Sequence, residues 1–242
     1  MSDSEFNNSQ RYDLAAAYRL IEMFDWGDLT STHISASMQE EDRFLINSRD
    51  QMFDEITASS LLEVSLSGEL VSPGNGVVNQ AGFVIHSAIH DARPDVKYVI
   101  HTHTQAGMAV SAMQSGLLPL SQHALRFYEA IGIHEYEGIA LDLEERARLV
   151  NDLGQSEAMI LRNHGLLTVG DSIAKAFSAM YYLEKACRAQ IDAMQSTTEL
   201  CLPSHEVCQH AYQQYQQDSD YFQHDWNGLI RRLERQQPDF KN

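Results

Sequence analysis

Two apolar runs that each lead into a histidine constrain this chain more than any other feature. Val99-Ile100 leads into His101-Thr102-His103, and Ala158-Met159-Ile160-Leu161 leads into Arg162-Asn163-His164-Gly165. Short apolar runs of this kind read as buried strands, so both histidine groups are expected where strands leave a core. Residues i and i+2 of a strand share a face, so His101 and His103 project the same way, about 6 to 7 Å apart along the strand. With His164 brought in from a neighbouring strand, three imidazoles suffice for a divalent metal, zinc above all, with iron or manganese as alternatives. Catalytic zinc sites use three protein ligands and keep one position open. Gly165 is expected to let the backbone turn sharply beside that centre. Ordinary polar residues at strand exits would explain a single His-x-His, but a third histidine in the same setting favours a metal.

The rest of the chain alternates helical and extended segments, which points to an α/β layered sheet. Apolar residues at helical spacing predict a helix over 10–24 and a long one over 172–194. Shorter helices are expected over 83–92, 105–113 and 143–153, the first ended by Arg93-Pro94-Asp95. Strands are expected over 44–47, 61–66 and 96–100, with a helical turn over 57–62 capped by Thr57. Ser72-Pro73-Gly74-Asn75-Gly76 is the clearest loop. The last forty residues are Gln-rich, partly helical by expectation, with a disordered extreme tail.

With 242 residues, 43% of them hydrophobic, the chain can bury one large core. One domain spanning 1–242 is expected, with a polar helical C-terminal extension from about residue 200. No apolar run reaches membrane-spanning length, and the N-terminus has no signal-peptide pattern; a cytoplasmic protein is the expectation. Cys187, Cys201 and Cys208 read as reduced thiols. A formal charge of −17 disfavours nucleic acid, which needs Lys and Arg clusters.

A series of ordered blocks then resembles the class II aldolase/adducin superfamily over nearly the whole length. They are Asp25-Trp26-Gly27-Asp28-Leu29-Thr30-Ser31-Thr32-His33-Ile34-Ser35, Phe44-Leu45-Ile46-Asn47, Ile56-Thr57-Ala58-Ser59-Ser60-Leu61 and Asn79-Gln80-Ala81-Gly82-Phe83-Val84-Ile85-His86. Further blocks are Ala92-Arg93-Pro94-Asp95-Val96, the His101 pair, Gly116-Leu117-Leu118-Pro119-Leu120-Ser121 and Arg162-Asn163-His164-Gly165-Leu166. The resemblance implies a three-layer α/β fold, a central mostly antiparallel sheet with helices on both faces. It also implies zinc on His101, His103 and His164, stabilising an enediolate during carbon–carbon cleavage. Symmetric oligomers, often tetramers with sites between subunits, are implied too, and the apolar stretch from Gly107 to Leu120 fits such an assembly.

One departure separates the chain from the aldolases, whose Ser-Ser-Glu block supplies a metal-binding, proton-carrying glutamate. Here that register reads Gln80-Ala81-Gly82, as in the adducin head and bacterial adducin-like proteins. Glycine neither binds metal nor moves a proton, and neither Ala81 nor Gly82 offers a hydroxyl to a phosphate. The empty register at Gly82 is expected to leave room for a chelating carbonyl or carboxylate substrate. His123, in a segment that the aldolases send toward the neighbouring subunit's site, and Tyr128 are the candidate proton carriers. His86 and His90 share a helix face and are expected to pack over the site. At most one of Glu129, Glu135, Glu137 and Asp142 is expected to join it. The sequence thus points to a metal-dependent lyase acting on a small, non-phosphorylated carbonyl compound. Its alternatives are an adducin-like binding or scaffold protein and a non-haem iron oxygenase.

Overall fold

Alternation within the strands decides where the helices go. The computed structural model describes residues 3–38, 42–71, 76–196, 199–217 and 221–242. Its strands are β1 (His33–Met38), β2 (Arg43–Ile46), β3 (Leu62–Ser65), β4 (Tyr98–Thr102), β5 (Ile131–His134), β6 (Ala158–Leu161) and β7 (Gly165–Gly170). They form one sheet in the order β3-β2-β1-β4-β7-β6-β5. Neighbouring strands are antiparallel except β5 and β6, which is the mostly antiparallel α/β sheet expected.

Successive strand side chains point to opposite faces, and both faces are apolar. Ile34, Ala36, Leu45, Ile100, Ile160 and Leu166 meet α1 (Asp3–Met23), α6 (Ile173–Ser196) and α8 (Tyr221–Gln236) through Leu14, Phe177 and Trp226. Phe44, Ile46, Val99, Met159, Leu161 and Leu167 meet α2 (Gln80–Ala92) and α5 (Glu145–Leu153) through Val84 and Leu149. Each such aliphatic side chain contributes about 1.5–3 kcal/mol on burial, so three layers with two apolar seams follow from the pattern. Helices α3 (Gln105–Ser111) and α4 (Gln122–Leu125) lie against α6, and α7 (His205–Gln217) lies against α4.

The boundaries moved for identifiable reasons. Helix α2 starts at Gln80 rather than Phe83 because the Asn79 side chain accepts from the N–H groups of Ala81 and Gly82, an N-cap. The turn over 58–60 is held by the Thr57 N–H donating to Ser60 Oγ at 2.9 Å. Strand β4 runs to Thr102, past the expected end at Ile100, because β1 and β7 pair with it on both sides. The loop expected at 72–76 falls mostly on residues 72–75, outside the described residues. The tail expected to be disordered is instead helical and packed. Phe240 is buried against Tyr12, and Arg19 donates to Asp239 and Gln237. Cys187, Cys201 and Cys208 are free thiols, and no described helix is long and apolar enough to cross a membrane.

Candidate metal centre

Strands β4 and β7 and the β6–β7 hairpin assemble the three histidines. His101 is central in the sheet, opposite His33 on β1 and Leu167 on β7. His103 follows the end of β4. His164 sits in the three-residue connection between Leu161 and Gly165, which pair with each other. Asn163 makes that turn in the left-handed region, at φ 53°, as short hairpins require. Gly165 has another task than the sharp turn expected of it. A Cβ there would strike the Thr102 carbonyl and come within 3.1 Å of the His103 ring. Glycine allows the close backbone approach that brings His103 beside His164.

The rings converge. Centroids of His101, His103 and His164 are 4.6 to 4.8 Å apart. His103 Nε2 lies 2.9 Å from His101 Nε2 and 2.9 Å from His164 Nε2. What holds the far side of two rings determines what those nitrogens carry. His101 Nδ1 is 2.9 Å from the Leu166 carbonyl, which can only accept, so Nδ1 bears the proton and Nε2 a bare lone pair. His103 Nδ1 is 2.9 Å from the Asp28 carboxylate, which fixes its tautomer the same way. Two lone pairs therefore face each other at hydrogen-bond distance with no proton between them. Burial first, then the neighbouring imidazoles, holds His101 well below the ordinary histidine value and His164 down to about 4, so these two rings resist taking up a proton near neutral pH. A divalent cation satisfies all three nitrogens together. Zinc–nitrogen bonds near 2.0–2.1 Å set tetrahedral ligand atoms roughly 3.3 Å apart, a small expansion of the present spacing.

Behind the triad lies a second set of histidines that was not singled out as a unit. His33 Nδ1 is 2.8 Å from His86 Nε2, His86 Nδ1 is 2.5 Å from Ser35 Oγ, and Ser35 Oγ is 2.7 Å from His90 Nε2. All four residues are buried. The expectation that His86 and His90 form a polar face over the site is thereby sharpened: they point into the sheet and hold His33. Burial pushes His33 down to about 3 and His90 to about 4, and His86 well down as well. The His33 ring is 5.1 Å from that of His101.

His33 also overturns the expectation of free space at Gly82. A Cβ on Gly82 would meet the His33 ring at 2.7 Å, so the register vacated by a carboxylate is filled by an imidazole. The sign missed in the sequence is the alternation of His33 and Ser35 with the core residues Ile34 and Ala36.

The remaining candidates do not join the three converging nitrogens, although Glu135 and Glu137 line a small cavity together with His164. His123 on α4 packs its ring 4.8 Å from Tyr182 on α6, with its basicity lowered by burial, then by Lys185 and Arg126. The Tyr128 hydroxyl is 2.9 Å from His205 Nδ1 on α7. Neither contacts the triad within the chain. Glu137 pairs with Arg148 and Glu135 with Arg162, Glu129 accepts from Gln209, and Asp142 accepts from the Glu144 N–H. Among the described residues the only cluster of three metal-binding side chains is the histidine triad.

Comparison with known proteins agrees with this architecture. Residues 12–191 match the model of the Class II Aldolase and Adducin N-terminal domain. A crystal structure of an aldolase II superfamily protein from Pseudomonas syringae superposes with a TM-score of 0.92 at 47% identity, covering 98% of this chain and 96% of that one. The "Putative aldolase class 2 protein" of Caulobacter vibrioides is 44% identical over 240 residues, 98% of this chain and 93% of that protein. Rat alpha-adducin is 46% identical over 190 residues, 77% of this chain but 26% of adducin. The chain belongs to the class II aldolase and adducin family.

Proposed function

We propose that the protein is a metal-dependent, aldolase-like lyase that acts on a small carbonyl compound without a phosphate group. The observation that carries this reading is the convergence of three Nε2 atoms, two of them in rings whose Nδ1–H is held from behind so that the neutral rings present bare lone pairs to each other. His101, His103 and His164 would hold the ion, zinc by preference, with iron or manganese as alternatives. When bound, such an ion supplies Lewis-acid stabilisation of negative charge on a substrate oxygen. Asp28 and the Leu166 carbonyl orient the ligand rings, the outer-shell arrangement that raises ligand basicity. Ala81 and Gly82 provide no hydroxyl for a phosphate, and no carboxylate stands at this register.

Within one chain neither His123 nor Tyr128 touches the triad, so either would handle a proton only across a subunit boundary. We therefore also propose a homo-oligomer, a tetramer by preference and cytoplasmic, built from single-domain subunits. A monodisperse monomer by light scattering at micromolar concentration would contradict the assembly. The lyase is tested by screening aldol cleavage of non-phosphorylated hydroxy-carbonyl compounds with zinc-, manganese- and iron-loaded protein. Turnover that disappears in His103→Ala supports it, and uniform inactivity of fully metal-loaded protein contradicts it. The second reading, an adducin-like binding protein, is favoured by one observation, the replacement of the carboxylate register by the Gly82–His33 contact, together with similarity to alpha-adducin.

A further inference from the structure

Strand β1 sets His33 directly opposite the ligand residue His101, and three buried groups brace it from behind. That bracing dictates which of its nitrogens carries a proton. His90 Nδ1 makes no well-formed hydrogen bond, Nε2 is taken up by Ser35 Oγ, and the Val96 backbone lies beside the ring, which leaves Nδ1 as the nitrogen to face its carbonyl. A carbonyl oxygen repels a lone pair and attracts an N–H, so the His90 proton is on Nδ1 and Nε2 accepts from the Ser35 hydroxyl. Ser35 Oγ then accepts from His86 Nδ1–H, and His86 Nε2 accepts from His33 Nδ1–H. With the His90 proton on Nδ1, the single Ser35 hydroxyl proton goes to His90 Nε2, and each later link then has one possible direction. The line ends at His33 Nε2 as a bare acceptor, with no hydrogen bond to any described residue. This nitrogen lies next to Gly82, where a Cβ would be 3.1 Å from it.

We propose that His33 is a specificity-determining residue, a tautomer-locked hydrogen-bond acceptor that selects ligands bearing a hydroxyl group on the atom next to a metal-chelating carbonyl or carboxylate. The inference rests on the metal reading of the triad. An acceptor here welcomes a hydroxyl, which can donate, and repels an unprotonated phosphate or ether oxygen, which cannot. The side chain is not assigned as a ligand in its own right: among the described residues the cluster of mutually close ligand atoms comprises His101, His103 and His164. The Ser35, His86 and His90 side chains are positioning residues, since they act only through His33.

The experiment uses the full-length protein loaded with Co2+, whose visible spectrum reports on the triad, titrated with glycolate and with methoxyacetate. Both chelate through a carboxylate and a neighbouring oxygen, but only glycolate has the hydroxyl proton. One hydrogen bond of ordinary net strength corresponds to about five- to tenfold in affinity. Glycolate should gain that preference over methoxyacetate in the unaltered protein, relative to His33→Phe, which keeps the ring and loses the acceptor. The same glycolate preference in both proteins would overturn the proposal. Loss of the Co2+ spectrum in His33→Phe alone would also overturn it, by making His33 part of the metal shell. No Co2+ spectrum in the unaltered protein would instead overturn the metal reading and this inference with it. If His33→Phe does not fold, long-range 1H–15N spectra of the zinc-loaded unaltered protein decide. The Nδ1–H tautomer of His33 supports the proposal, and the Nε2–H tautomer contradicts it.

Discussion

Six histidines in this molecule form two groups of three, and the groups satisfy themselves in opposite ways. His33, His86 and His90 lie in a line with Ser35 between two of them, so each contact has one donor and one acceptor. His101, His103 and His164 point at one another with their Nε2 atoms, while a carbonyl and a carboxylate take the outer protons of the first two. On the metal reading proposed above, a cation would satisfy that group. The comparison teaches that histidine content alone says little: the direction of each ring's second hydrogen bond separates a set that pairs internally from one whose lone pairs converge on a point.

The largest effect that would break this distinction is expected from His164→Ala. Structural zinc sites gain about 10–16 kcal/mol from four ligands, so losing one of three should weaken zinc binding by on the order of 100- to 1,000-fold. Competition against a chromophoric chelator measures it, and an unchanged affinity would return His164 to the structural set.

Acid should affect the buried line next. An unfolded histidine titrates near 6.5, whereas burial holds His90 at about 4 and His33 at about 3. Between those values the unfolded chain binds protons that the folded chain refuses, so stability is full above about 6.5 and falls as pH drops toward 4. His90 alone accounts for roughly 3 kcal/mol of this. Asp13, raised by burial to about 6, and Glu22, raised by burial first and then by Asp54 and Asp25, work in the opposite sense at pH values below 6, but two carboxyls oppose several histidines. Thermal melts of metal-free protein should therefore show Tm falling from pH 6.5 to 4.5, with a shallower slope in His90→Phe. A flat profile would contradict the burial of a neutral line.

Asp28→Asn keeps the size of the side chain that braces His103 but lets the amide donate as well as accept, which unlocks the tautomer. Outer-shell changes of this kind cost 10- to 100-fold in metal affinity, while the same change should leave the metal-free melting temperature nearly unmoved. Equal zinc affinity would remove Asp28 from the site.

The smallest effect sharpens the contact between the two groups. Alanine within a helix is ordinarily worth about 1 kcal/mol over glycine, so Gly82→Ala should stabilise α2 if nothing opposes it. The new methyl would press on the His33 ring at 2.7 Å, and overpacking costs about 1–3 kcal/mol. Chemical denaturation should show a net loss on the order of 1 kcal/mol, and a net gain would mean that His33 moves aside freely.

The triad was legible because strand periodicity is local: His101 and His103 sit two apart after an apolar run, and His164 precedes a glycine in the same context. The three-layer sheet was legible from the ordered blocks. The His33 line was not, because His33 and His86 lie 53 residues apart in sequence and meet only where α2 packs on β1. His33-Ile34-Ser35-Ala36 carries the period-two pattern of a strand with one polar side, but nothing local says that this side is buried. Gly82 misled for the same reason. A missing side chain in the sequence suggests a void, yet close packing fills voids from a distance. The packed tail around Phe240 was likewise invisible, since Gln-rich composition gives no sign of the Arg19–Asp239 ion pair that anchors it.

The central claim, that the converging nitrogens exist for a metal, is tested most directly by elemental analysis of protein purified without added metal or chelator. About one equivalent of a divalent transition metal per chain is expected in the unaltered protein, and none in the His101→Ala, His103→Ala double variant with an unchanged circular dichroism spectrum. Metal-free unaltered protein that also refuses zinc, or equal metal in the double variant, would contradict the account.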